Sequence, residues 1–169
     1  MFFYDPVAIG NLARKGVQVV IHNTLASSDY GLLDDNTMEP RPNYWAALLW
    51  RKFMGNVVLD AGGTPEPALH LYAQCLRGQA GGVVLLVINT DSSSPHSLDM
   101  RAPSERYTLI AERLQDRSVR LNGNELKLGP GDVLPQINGI PVNAGEVTLA
   151  PDTITFFAVP NANNPACRQ

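Results

Sequence analysis

The sequence predicts a two-part fold: a piece of parallel α/β structure over residues 1–60, then an antiparallel β-sandwich over residues 61–169. Two observations carry this. An apolar, β-branched run, "VQVVIHNTL" at 17–25, lies between two helical stretches, the rhythm of an α/β barrel or a doubly wound sheet. Beyond it, short strand candidates return about every ten residues between turn signals, as in a sandwich. "AGG" at 61–63 marks the boundary.

The elements follow in order. "PVAIGNLARK", 6–15, reads as a short helix closed by Gly16 at the C′ position. Val17, Val19, Val20 and Ile21 nearly fill the next segment, which predicts a strand buried on both faces. "ASSDYGLLDDNT" is a polar loop. "EPRPNYWAALLWRKFMG", 39–55, is a helix with both ends marked. Pro42 and Asn43 open it, with Asn43 as the N-cap. Trp45, Leu48, Leu49 and Phe53 make one apolar stripe. Arg51 and Lys52 suit the last turn, and Gly55 reads as the stop. The strand candidates are "VVLDAG", "ALHLYAQC", "GGVVLLVINTD", "HSLDMRA", "ERYTLIAE", "SVRLNGNELKLG", "GEVTLAP" and "TITFFAVPN". Asn122-Gly123 inside the sixth is a hairpin signal, whereas "GPGD" and "INGIP" read as turns.

Composition narrows the function classes. Hydrophobic residues make up 44% and charged residues 17% of the 169, enough for a real core and unlike a disordered tail. With a net charge of −3 and no basic run longer than Arg51-Lys52, a nucleic-acid surface is not expected. No apolar stretch approaches the roughly 18 residues of a membrane span. "MFFYDPVAIG" lacks the basic start and continuous apolar middle of a signal peptide. The 2 cysteines, Cys75 and Cys167, permit one bridge.

Several residues invite a chemical reading. His22 and Asn23 close the predicted buried strand, where polar side chains either face a site or satisfy each other. Asp29, Asp34, Asp35 and Glu39 crowd one loop. A retaining glycosidase needs two carboxylates about 5–5.5 Å apart, but loop aspartates more often form turns. His70, His96 and the cysteines lack metal-ligand spacing. No G-x-S-x-G and no phosphate-binding glycine loop occurs. Trp45 fits the core, and Trp50 is placed to pack the second half or stack on a sugar.

"DYGLLDDNTMEPRPNYWAALLWRKFMGNVVL", "LHLYAQC", "VVLLVINTD", "SVRLNGNELKLG", "DVLP" and "LAPDTITFFAVPNANNPAC", in this order, resemble the C-terminal part of heparanase-like β-glucuronidases of glycoside hydrolase family 79. The resemblance implies the end of a (β/α)8 barrel, with 17–25 as its last strand and 43–54 as its last helix, followed by a β-sandwich. It implies a glycan or glucuronide substrate containing uronic acid, hydrolysed with retention by two glutamates on earlier barrel strands. Glu39, Glu66, Glu105, Glu112, Glu125 and Glu146 match neither motif, so the remainder of the catalytic barrel is an implied partner. By the same resemblance, Asn23, Ser28, Asp29 and Tyr30 line the sugar cleft, Ser28 standing where heparanases tend to carry glycine. Cys75 and Cys167 are implied to be bridged, and with the bridge a secreted or periplasmic location. No metal and no cofactor is implied. The alternative is a non-catalytic sandwich module that binds a glycan or a protein partner.

Overall fold

The computed structural model describes residues 4–63, 66–113 and 115–168. Helix α1 (Tyr4–Arg14) ends as expected at Gly16, whose φ is +79°. The Gly16 amide donates to Ala13 O and the Val17 amide to Leu12 O, which satisfies carbonyls the last turn would otherwise leave bare.

The expected buried strand at 17–25 does not form. The segment belongs to no strand of either sheet, with Val19 72% and Ile21 85% exposed. A strand buried on both faces is made by its neighbours, and none of the described residues supplies a neighbouring strand.

Helix α2 (Pro42–Phe53) carries the predicted stripe: Trp45, Leu49 and Phe53 are buried and Leu48 packs beside them. Two details of its ends differ from expectation. Arg41, with no side-chain cap, precedes the first turn, and Pro42 occupies N1, where its missing N–H costs nothing. Asn43 is therefore inside the helix, buried, and donates to Tyr30 O at 3.2 Å. Gly55 is no helix stop either. It lies in strand β1 (Met54–Leu59), where an added Cβ would fall 2.4 Å from Cys75 O. Its smallness permits close approach of two backbones.

Nine further strands follow among the described residues: β2 (Leu69–Leu76), β3 (Val83–Asn89), β4 (His96–Met100), β5 (Ser104–Ile110), β6 (Arg120–Leu121), β7 (Asn124–Glu125), β8 (Ile140–Val142), β9 (Gly145–Leu149) and β10 (Thr153–Val159). All pairings are antiparallel, and the main sheet runs β1-β2-β3-β10-β5-β6-β7, with β8 added beside β5. A separate ribbon pairs β4 with β9. Strand β8 was hidden in the apparent turn "INGIP", because Pro141 argues against a strand anywhere but at an edge. The β6–β7 turn matches expectation: Asn122 and Gly123 both have positive φ, +51° and +88°.

Side chains of the central strand alternate between the two faces of the sheet with a period of two. Ile154, Phe156 and Ala158 of β10 face helix α2 and the β6–β7 hairpin, while Phe157 and Val159 face the β4–β9 ribbon. The protein is thus mostly antiparallel sheet, covered on one face by helix and on the other by a ribbon. Asn89, 1% exposed, joins the layers: its Nδ2 donates to Leu149 O and Ala150 O, at 3.3 and 3.0 Å.

The turn after β3 is built on Asp91, whose carboxylate accepts from Ser93 N, Ser93 Oγ and Ser94 N. These bonds, with His96 nearby, draw its pKa down to about 2. A depressed carboxylate contributes stability above its unfolded value, 3.8, and loses it as pH falls through about 2. Wild type is therefore expected to lose melting temperature more steeply than Asp91→Asn across that window. Equal slopes in thermal melts from pH 4 to pH 2 (about the span of the shift) would contradict this.

Candidate functional site

The loop between the segment 17–25 and α2 carries Ser28, Asp29 and Tyr30, and Asn23 lies in that segment just before it. Its shape comes from its own backbone. Leu33 N donates to Leu25 O, Gly31 N to Ser28 O, and Leu33 bridges Pro40. Gly31 is buried, and a Cβ there would sit 2.9 Å from Leu25 O.

Asn23 and Tyr30 meet: Asn23 Nδ2 donates to the Tyr30 hydroxyl at 2.7 Å. Tyr30 also stacks on His22, ring centroids 6.3 Å apart and planes within 9°. Because Tyr30 Oη accepts from Asn23, its own proton is oriented to donate elsewhere. Ser28 and Asp29 are not drawn into this pair. Ser28 Oγ is buried with no partner among the described residues, and Asp29 is exposed. A mostly apolar cavity of about 410 Å³ adjoins the pair, lined by His22, Asn23, Tyr30, Asn43 and Trp50 among others. Trp50 is half-buried there.

Three residues that hold this loop escaped the sequence reading. Arg41 Nη1 donates to Ser28 O at 3.0 Å, and Asn43 Nδ2 to Tyr30 O. Arg117, from the loop between β5 and β6, reaches Asp34 Oδ2 at 2.9 Å. Asp34 is buried and also accepts from Asn36 N, Thr37 N and Arg41 Nη2. Those backbone amides first, then Arg117 and Arg41, hold its carboxyl below the usual range. Only the excess of acid in the loop hinted at such partners, and nothing in the sequence named Arg117.

Several other acids are engaged elsewhere. Glu66 and Asp91 flank His96. Glu105 accepts from Tyr107 Oη at 2.6 Å, and Glu112 lies 3.6 Å from Arg120. Among the described residues no group of three or more His, Cys, Asp or Glu side chains is arranged to hold a metal ion. No helix among them is long and apolar enough to cross a membrane. Cys75 and Cys167 are bonded as a disulfide, Cα atoms 5.3 Å apart.

No protein-family model matches the chain. Individual relatives do. It is 32% identical to a hyaluronoglucuronidase of Hirudo nipponia over 95% of this chain and 36% of that protein. It is 31% identical to baicalin-β-D-glucuronidase of Scutellaria baicalensis, over 90% of this chain and 30% of that one. Heparanase of Bos taurus is 31% identical over 94% of this chain and 32% of its own length. The chain thus spans about a third of the relatives it matches. Among solved structures, a GH51 arabinofuranosidase of Xanthomonas axonopodis pv. citri superposes with a TM-score of 0.52 at 14% identity, over 90% of this chain and 34% of that one, a likeness of fold. Similar at this level along nearly all of its length to glucuronidases and heparanase, and over about a third of each, the chain matches as the C-terminal part of a heparanase-like protein of glycoside hydrolase family 79 would.

Proposed function

We propose that this chain is the C-terminal segment of a retaining β-glucuronidase acting on uronic-acid-containing glycans or glucuronides. Residues 1–60 form the end of a (β/α)8 catalytic barrel, with 17–25 as its last strand and α2 as its last helix. Residues 61–169 form a β-sandwich packed on it. The carrying observation is a match that covers about 95% of the chain but only about a third of each glucuronidase relative. The bare apolar segment 17–25 supports it: such a segment gains pairing and burial by joining a parallel sheet. Strand β1 lies within the barrel portion yet pairs with β2, so the two parts share a sheet edge.

Tyr30 and Asn23 present hydroxyl and amide groups suited to sugar hydroxyls, with Ser28 and Asp29 on the same loop. The general acid and the nucleophile belong to the portion this chain does not span. The disulfide supports an oxidising compartment, secreted or periplasmic.

The chain alone is expected to show no turnover of an aryl β-glucuronide or heparan sulfate. Joined to the upstream two-thirds of a family member, it should restore turnover. There, Tyr30→Phe is expected to lower kcat/KM about tenfold, the scale of one hydrogen bond to a polar substrate, with Tm unchanged. Turnover by the chain alone, or failure of the joined protein to turn over any glucuronide although folded, overturns the reading.

A further inference from the structure

We propose that Arg117 is a positioning residue for the substrate loop, acting through Asp34 and Arg41. This rests on the functional reading above only in calling the loop a substrate loop. The chain of contacts starts in the sheet half and ends on the loop. Arg117 Nη1 meets Asp34 Oδ2 at 2.9 Å, across 83 residues of sequence. Arg41 Nη2 meets the same oxygen at 3.3 Å, and its Nη1 holds Ser28 O at 3.0 Å. One guanidinium thus ties Asp34 to the loop backbone two residues before Tyr30, and another ties Asp34 to the sheet half.

The burial pattern separates fixing the loop from holding the fold. The Asp34 side chain is 8% exposed and that of Arg41 15%, but that of Arg117 is 83% exposed. An ion pair reaching into solvent adds little to global stability. Asp34 also keeps its two backbone amides without Arg117. Loss of Arg117 therefore frees the loop to shift against the sheet without unfolding either. The arginines differ in what can replace them. Arg117 uses one nitrogen on one oxygen, a role an ammonium can fill. Arg41 spans three acceptors, Ser28 O, Asp34 Oδ2 and Asp35 Oδ1, with two nitrogens, a role an ammonium cannot fill.

Amide hydrogen exchange on the 169-residue chain tests this. Arg117→Met is expected to speed exchange in residues 24–41 severalfold, with exchange in β3 and β10 and the urea midpoint unchanged. Arg117→Lys should behave as wild type, and Arg41→Lys as Arg117→Met. In the barrel-joined protein, Arg117→Met should raise KM for an aryl β-glucuronide severalfold with kcat retained. Unchanged exchange at 24–41 overturns the proposal. So does faster exchange that Arg117→Lys fails to rescue, or that leaves KM unaltered in an active protein. Absence of turnover in every folded joined protein, with the exchange pattern as expected, instead removes the glucuronidase reading and leaves the clamp standing.

Discussion

Replacing both Cys75 and Cys167 with alanine is expected to cost the protein more than any surface change. The bridge closes a loop of 92 residues, for which the chain-entropy relation gives roughly 4–5 kcal/mol. That figure is an upper bound, because the tail has other attachments. Gly81 N donates to Cys167 O at 2.7 Å and Asn164 N to Gly81 O at 2.9 Å. Asn164 Oδ1 also caps the short 3₁₀ turn at Pro165–Cys167. These bonds can re-form in the folded variant. A drop in Tm on the order of 10 °C follows for a chain of this size. The same drop should appear when the wild type is melted in reductant. A double variant melting within about 2 °C of wild type (under 1 kcal/mol on that scale) would show that the tail bonds alone hold the terminus.

Trp45→Ala is expected to be nearly as costly. Trp45 is 1% exposed in the cluster that joins α2 to β3, β5 and β10. Truncating a buried tryptophan removes both transfer energy and packing, about 3–5 kcal/mol. Trp50, five positions on, is half-buried beside open cavities, so Trp50→Ala should cost less than half as much. Urea midpoints of the two variants decide it, and equal losses would mean that Trp50 is as well packed as Trp45. Trp45→Ala should also loosen the site loop, since Arg41 and Asn43 hold Ser28 and Tyr30 from the N-terminal end of the same helix.

The legible parts of the fold were those fixed by local chemistry. Asn122-Gly123 specifies its own turn, because both residues tolerate the positive φ a tight hairpin needs. The apolar stripe of α2 and the C′ glycine of α1 are likewise decided within a turn or two of helix. What could not be read depends on distant chain. Residues 17–25 have the composition of a buried strand, but burial requires neighbours. Asn43 looks like a cap until Tyr30 O takes its amide. Gly55 looks like a stop until the Cys75 carbonyl is seen against it. At the site, Asn23 and Tyr30 were named but not their mutual bond. Arg117 had no signal at all, since its partner lies 83 residues away.

The place of β10 in the sheet has a bearing on biosynthesis. It is the final strand among the described residues, yet it lies between β3 and β5, and all seven of its residues are buried. As the chain leaves the ribosome, the hairpin of β2 and β3 and the strand β5 are complete well before the strand that must join them. At roughly 5–20 residues per second, the 43 residues separating Ile110 from Thr153 impose a wait of about 2–9 s. Throughout that interval Leu86, Ile88 and Leu109 have no Phe156 or Ile154 to cover them. Closure of the sheet is therefore a late, single event in the life of the nascent chain. A premature stop between residues 111 and 152 would leave a polypeptide with two exposed strand edges and no means of sealing them.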